Sequence, residues 1–296
     1  REVPGGILFN IGYQGTKTTK ITVGRNINFP GPHPTIPAAQ RRLNPKWNAI
    51  NRGGDAGANA NYNALTVRAE KRYSQGLTFL ASYTWSHNID QATESLDTNF
   101  QIIANPYDLR NERGNSNLDH RHMFLSSVTY ELPFGRGKTI GASWNRAVDA
   151  FLGGWQAGGI LTLRSGFPFD VSYPGDPQNT GTTNRGNRVG AGTVSNPTID
   201  KWFDELAFVQ SAPGVYGNAG RNLLFGPGTR NLDSSLAKRF SGLREGHYSQ
   251  LRFEAFNLSN TPKFGQPNAT LRQPNTATIN RADEPRRIQI GLKYVF

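Results

Sequence analysis

Strict two-residue alternation is the feature that most limits how this chain can fold. In "RRIQIGLKYVF" (Arg286 to Phe296), Ile288, Ile290, Leu292, Tyr294 and Phe296 alternate with Arg287, Gln289, Gly291, Lys293 and Val295. Successive side chains of a strand point to opposite faces, so this pattern fits a half-buried strand and not a helix. Seven further segments alternate in the same way. Gly6–Gln14 puts Ile7, Phe9, Ile11 and Tyr13 on one face. Tyr62–Tyr73 puts Leu65, Val67, Ala69 and Tyr73 opposite Thr66, Arg68, Glu70 and Arg72. Leu77–His87 sets Phe79, Ala81, Tyr83 and Trp85 against Thr78, Ser82, Thr84 and Ser86, and Arg121–Leu132 sets Phe124, Val128 and Tyr130 against Ser127, Thr129 and Glu131. Trp155–Ser165, Arg230–Phe240 and Tyr248–Leu258 complete the set. Phe256 breaks the parity of the last, and Lys238 sits on the apolar parity of its strand.

The connections between these segments alternate long and short. Gln14 to Asn61, His87 to Arg121, Ser165 to Arg230 and Leu258 to Arg286 are long. Tyr73 to Leu77 and Phe240 to Tyr248 are tight, and Leu132 to Trp155 is intermediate. An up-and-down meander gathers all the long loops at one rim, as outer-membrane barrels do. If the short-turn rim is a membrane interface, aromatics should collect there on the apolar parity. Tyr73, Tyr130, Trp155, Phe240, Tyr294 and Phe296 all fall at that end, and Tyr13, Tyr83 and Trp85 at the other. A soluble sandwich explains the alternation but gives no reason for two aromatic girdles.

Composition agrees. Only 36% of the 296 residues are hydrophobic, which is thin for a two-layer α/β core and suits a β protein with polar loops. No apolar run reaches the roughly 18 residues of a transmembrane helix, but a spanning strand needs only about 9–11 residues, half of them apolar. The chain has no cysteine, which excludes disulfides, thiolate-ligated metals and thiol catalysis. No signal peptide is visible, and Arg1 opens the chain without methionine, which suggests a processed chain or a fragment. The loops "NFPGPHPTIP" and "YPGDPQNTGTTNRGNRVGAG" read as irregular or mobile, and "TIDKWFDELAFV" as one short helix with Asp200 as its N-cap.

The order of motifs resembles the β-barrel of TonB-dependent receptors, most closely the Oar-like group that carries a carboxypeptidase-regulatory-like domain. The hairpin "NYNALTVRAEKRYSQGLTFLASYTWSHNID" resembles a recurrent one in that barrel. "LDHRHMFLSSVTYELPFGRGK" and "LGGWQAGGILTLRSGFPF" resemble the next part of the same barrel, and "WFDELAFVQSAPGVYGNAGRNLLFGPGTRNLDSSLAKRF" and "LRFEAFNLSNTPKFGQPN" its last third. The resemblance implies energy-coupled uptake of a bulky nutrient by a barrel of about 22 strands. No plug domain or TonB-contacting segment is recognisable here. The resemblance therefore implies that residues 1–296 are a C-terminal barrel portion, meeting TonB only through an absent N-terminal region. It also implies that Tyr294 and Phe296 form the signal read by the barrel-assembly machinery.

Four candidate sites carry a possible chemistry. In "DHRH" (Asp119 to His122), His120 and His122 would share a strand face as a metal pair. A third ligand is lacking, so a polar strand start with hydrogen-bonding histidines is the better reading. "PFGRGKT" has Leu132 where a phosphate loop needs glycine, and reads as a basic turn. Asp90, Glu94, Asp97, Asp204 and Glu205 lie in or beside loops with no nucleophile, and read as solvated charges. The net charge of +12 raises nucleic acid, a phosphorylated membrane surface or an anionic ligand as partners. Arg68, Arg72, Arg164, Arg239, Arg252 and Lys293 fall on the polar strand face, where Glu70, Asp233 and Glu254 can partner them. A wet lumen and lipopolysaccharide phosphates therefore account for the charge better than nucleic acid does.

The expected fold is all-β: an antiparallel, up-and-down transmembrane barrel segment of about eight strands, open or distorted if it stands alone. The expected function is a non-enzymatic outer-membrane receptor without a cofactor, of unknown ligand. The alternatives are a small eight-strand barrel acting as adhesin or structural protein, and a secreted soluble β protein that binds polysaccharide or nucleic acid.

Overall fold

The computed structural model describes residues 2–92, 103, 105–182, 184–241 and 246–296. Eight long strands follow one another in a single antiparallel sheet: β1 (Ile7–Asn26), β2 (Asn51–Ser74), β3 (Leu77–Asp90), β4 (His122–Glu131), β5 (Trp155–Arg164), β6 (Thr229–Ser241), β7 (Tyr248–Phe256) and β8 (Arg287–Val295). Each pairs with its neighbour in sequence. Two short pieces join the same sheet, Glu2–Val3 beside β1 and Gly114–Asn115 beside β3. The sheet is an open meander: β1 and β8 are not paired with each other. This is the architecture the alternation predicts, with all long loops at one rim and all shorter turns at the other.

Register decides whether the apolar faces of the strands coincide, because a one-residue slip would turn a strand over. They coincide across the whole sheet. Tyr13 lies opposite Leu65, Leu65 opposite Trp85, and Tyr83 opposite both Val67 and Phe124. The row continues through Phe124 with Leu163, Leu161 with Leu232, Leu236 with Phe253, and Phe253 with Ile290. The β2–β3 connection is the tightest of the turns. Gln75 (φ 52°) and Gly76 (φ 80°) both take the left-handed conformation that a two-residue hairpin needs to match strand twist.

β1 and β2 run much further than the alternation indicates. Their 20 and 24 residues exceed the roughly 9–11 of a membrane crossing. Beyond Gln14 they continue as a bulged ribbon through a stretch expected to be loop. Val23 and Ala58 of this ribbon form a small core with Ala92 and Ile103, against which Ile21 and Leu109 pack.

The other long loops are irregular as expected, but they fold into a packed cap. Phe169, Val171, Tyr173, Phe203, Phe208 and Leu224 of the β5–β6 loop share a core with Leu271 and Ala277 of the β7–β8 loop. The expected helix at "TIDKWFDELAFV" is absent. Trp202 N–H bonds the Ala277 carbonyl (2.8 Å) and Asp204 N–H the Gly192 carbonyl (2.9 Å), so the backbone there ties loops together. Only a 3-10 turn forms, Glu205–Ala207, capped by the Asp204 side chain in place of Asp200. A real helix, α1 (Arg146–Leu152), lies instead in the β4–β5 turn.

Candidate functional site

The sheet has one apolar face that the described residues leave largely uncovered, the helix of the β4–β5 turn meeting it only at the short-turn end. Ile11 is 61% and Leu292 76% exposed, and the face between them is mainly apolar across eight strands, with Lys71, Ser126, Ser234 and Lys238 among its polar interruptions. A soluble monomer rarely exposes an apolar patch beyond a few hundred Å². Its rims are aromatic. Tyr130, Trp155, Phe240, Tyr294 and Phe296 stand at the short-turn end, and Tyr13, Tyr83 and Trp85 toward the long-loop end. Tyr73 departs from the expected rim: a register shift between Lys71 and Ser74 puts Ser74 opposite Leu77 and turns Tyr73 to the charged face, where it donates to Glu131 (2.8 Å). Two rim tyrosines reach neighbours with their polar tips: Tyr294 meets His247 Nδ1 (2.9 Å), and Tyr13 donates to Asn63 (2.7 Å). The rings of Tyr294 and Phe296 stack at 6.3 Å.

The opposite face carries the charges. Arg68 pairs with Glu70 (2.9 Å), and Arg252 with Glu254 (3.5 Å). Arg239 lies over the Tyr248 ring (4.9 Å) and Arg164 over Phe167 (5.6 Å), while Lys293 stands opposite Gln250. Arg72 is exposed on the same parity. Asp233 departs from its expected role as an ion partner: it accepts the Asn257 N–H (2.8 Å) and anchors the start of the β7–β8 loop. This face is not uniformly polar either. Leu8, Leu80, Met123, Leu125 and Ile160 interrupt it, as their register with Glu70, Thr84, Ser82 and Ser127 shows.

At the mouth, between β6, β7 and the β7–β8 loop, a cleft of about 530 Å³ opens on this polar face. Phe256, the parity break, lies in it with Arg287 over its ring (5.8 Å), beside Asn231, Asp233, Lys263 and Arg281. A lone aromatic among mixed charges gives the cleft both an apolar platform and directional hydrogen-bonding groups.

The cap above is held by buried ion pairs that the sequence did not reveal. Arg221 is 1% exposed; its guanidinium pairs with Asp90 and donates to the Asp90 carbonyl (2.9 Å) and the Glu112 carbonyl (2.8 Å). Arg185 pairs with Glu112 at 2.5 Å. Burial pulls Arg221 down to about 10, which leaves it charged at neutral pH, and pushes the Asp170 carboxyl up. Asn115 and Asn222 exchange amide-to-carbonyl hydrogen bonds (2.8 and 2.7 Å) beside this network. Asp90 is therefore no solvated loop charge: it is 3% exposed and paired with a residue 131 positions away. Asp204 and Glu205 remain at the cap surface, while Glu94 and Asp97 lie outside the described residues.

The histidines of "DHRH" go to different partners. Asp119 is buried, accepts the Asn88 N–H (2.6 Å) and faces Arg121 (3.4 Å). His120 precedes the strand; its Nδ1 meets the Ser165 carbonyl (3.0 Å) and its ring packs on Phe167 at 3.9 Å. Burial there holds the imidazole below its ordinary value. His122 turns to the apolar face and bonds Tyr83 Oη (2.8 Å). The two rings do not converge as a ligand pair, and among the described residues no three metal-ligating side chains cluster. "PFGRGKT" is a turn, closed by a Phe134–Ile140 bridge and a Lys138–Glu131 pair (3.0 Å).

An antiparallel meander with a lipid-width apolar face, aromatic rims and a charged opposite face is the wall of a transmembrane β-barrel. Only strands whose hydrogen bonds are met by neighbouring strands can cross a membrane in this way. The chain belongs to the outer membrane beta barrel domain family, whose model matches residues 1–289. The protein accordingly resides in the outer membrane, with the apolar face toward lipid and the charged face toward the barrel interior. No curated protein matches the chain.

Proposed function

We propose that this barrel domain belongs to a TonB-dependent receptor of the Oar-like kind, which takes up a bulky nutrient and catalyses no reaction. The observation that carries this reading is the joining of a packed loop cap to a cleft on the interior face at the same rim. A structural barrel has no need of either. In this reading the cap makes the first ligand contacts and the Phe256 cleft receives part of the ligand inside the mouth. The short turns face the periplasm, as is general for such barrels. The resemblance of the hairpin at Asn61–Asp90 and of the segments from Leu118 onward supports the same assignment. The open edges of β1 and β8 are then completed by further strands, since an unpaired edge in lipid costs several kcal/mol per group. TonB contact would come from an N-terminal region, lipopolysaccharide would meet exposed loop cations, and the assembly machinery would read Tyr294 and Phe296.

A second reading rests on the strand count. Eight strands can close into a small barrel filled by side chains, and the same cap would then serve adhesion. Site-directed crosslinking of the full-length protein to TonB in energised cells separates the two. A crosslink that strengthens when nutrient is present supports the receptor. An absent crosslink, with loss of surface attachment on gene deletion, supports the adhesin.

A further inference from the structure

The β4–β5 turn, "PFGRGKTIGASWNRAVDAFLGG", has no part in the reading above, yet it folds into a bridged loop and a capped helix. Asn145 caps α1 by accepting the Val148 N–H (2.9 Å), and Gly153 closes it by donating to the Asp149 carbonyl (2.9 Å). Two outward-facing side chains hold the end of this helix. Trp155 donates its indole N–H to the Phe151 carbonyl at 2.9 Å. Lys238, opposite Trp155 in register, donates to the Asp149 carbonyl (3.0 Å) and to the Gly153 carbonyl. Because Trp155 and Lys238 both point to the lipid side, α1 lies against the outside of the barrel wall.

This also accounts for a lysine on the apolar parity. Lys238 is only 4% exposed. Its ammonium sits at the carbonyl end of α1, where the helix dipole favours a cation, and beside the faces of Trp155 (5.7 Å) and Phe240 (5.3 Å). Large apolar and basic side chains remain bare on the turn, among small polar ones such as Thr139 and Ser143. Phe151 is 77% and Leu152 55% exposed, Ile140 is exposed nearby, and so are Arg136 and Arg146. The one acid of the helix, Asp149, is engaged by the Arg136 backbone N–H (2.7 Å). These groups continue the aromatic row of Trp155 and Phe240, so their surroundings are those of the lipid-facing wall.

We propose that α1 is an interfacial anchor. Phe151 and Leu152 enter the acyl region of the periplasmic leaflet, and Arg136 and Arg146 meet the phosphates of its phospholipids. An amphipathic segment with apolar side chains beside free cations is what lies in a headgroup boundary. The occupant is phospholipid, since the short-turn rim faces the leaflet that lacks lipopolysaccharide.

Residues 1–296 carry no cysteine, so within them a single introduced thiol is labelled alone. A polarity-sensitive fluorophore is attached through Phe151→Cys in the whole protein, reconstituted in phosphatidylethanolamine–phosphatidylglycerol vesicles carrying a headgroup-proximal nitroxide lipid. A label at Thr129→Cys on the interior face is the reference. The Phe151 label should show blue-shifted emission, strong nitroxide quenching and loss of most iodide quenching, while the Thr129 label stays accessible to iodide. Combining Arg136→Gln and Arg146→Gln should weaken the nitroxide quenching at position 151. A Phe151 label as open to iodide as the Thr129 label overturns the proposal. Quenching that arises only when lipopolysaccharide is added overturns it equally, and so does quenching unchanged by the double arginine substitution. Phe151 is exposed, so its replacement leaves folding intact.

Discussion

Replacing Arg221 with alanine should open the loop cap and leave the sheet beneath it intact. The guanidinium pairs with Asp90 and donates to the Asp90 and Glu112 carbonyls, in a site where Arg221 is 1% and Asp90 3% exposed. Solvent screening is therefore slight. Removing one partner of a buried pair costs roughly 3–5 kcal/mol, chiefly because the other charge stays buried without it. At about 1.4 kcal/mol per tenfold, the open form of the cap should rise by between two and four orders of magnitude. Hydrogen-exchange mass spectrometry on the reconstituted protein reads this directly. Backbone amides of residues 114–119 and 219–224, with those of the β3 end at 88–90 that pair with them, should lose protection by about that factor, and those of β4, β5 and the rest of β3 should not change. Pairing Arg221→Met with Asp90→Leu removes both charges and should recover much of the protection. Unchanged exchange in Arg221→Ala, or equal loss of protection in the strands, would refute the idea that this network holds the cap.

Three further outcomes rest on the same contacts and on the chain's last strand. Gly114→Ala would set a Cβ about 2.3 Å from the Arg221 carbonyl, so the cap should lose stability by roughly 1–3 kcal/mol, seen as faster exchange around residues 114–119. Burial holds His120 below its ordinary value, so between that lowered value and about 6.5 the open state binds more protons than the closed one. Protection at residues 165–167 should accordingly fall as pH drops through that window, and His120→Gln should flatten the dependence; a profile unaffected by the substitution contradicts the assignment. Deleting Phe296 from the full-length protein should lower its insertion into the outer membrane more than its synthesis, measured by heat-modifiability of the membrane fraction. Normal insertion would count against its role in assembly.

What the sequence disclosed and what it withheld divide along a physical line. Lipid contact imposes a period of two on every strand it touches, so Phe79 to Trp85 and Ile288 to Tyr294 announce their faces locally. The ribbon beyond Gln14 extends past the aromatic rim at Tyr13. It needs apolar residues only at points such as Val23 and Ala58, and its Thr, Asn and Gly pattern looks like loop. The cap is harder still. Phe169 packs with Leu271, and Asp90 pairs with Arg221 across 131 positions, contacts with no period and no spacing to read. "TIDKWFDELAFV" carries a helical apolar spacing, but Phe203 is buried in the cap core and the neighbouring amides bond other loops. Helix α1 is seven residues long, too short for its periodicity to stand out, and only its Asn145 cap and closing Gly153 could have marked it. Lys238 and Phe256 were visible as parity breaks. Their explanations, a helix end on the lipid side and a cleft at the mouth, needed the fold.

The central claim is that one face of this sheet meets lipid and the other water. Single cysteines placed in turn at positions 79 to 86 of β3, among residues 1–296 that carry none, test it most directly. In native outer membranes, labelling by a water-soluble maleimide should alternate: positions 80, 82 and 84 react, whereas 79, 81, 83 and 85 are protected and are quenched by lipid-phase nitroxides once labelled in detergent. Uniform reactivity along the strand, or the opposite phase, would contradict the account.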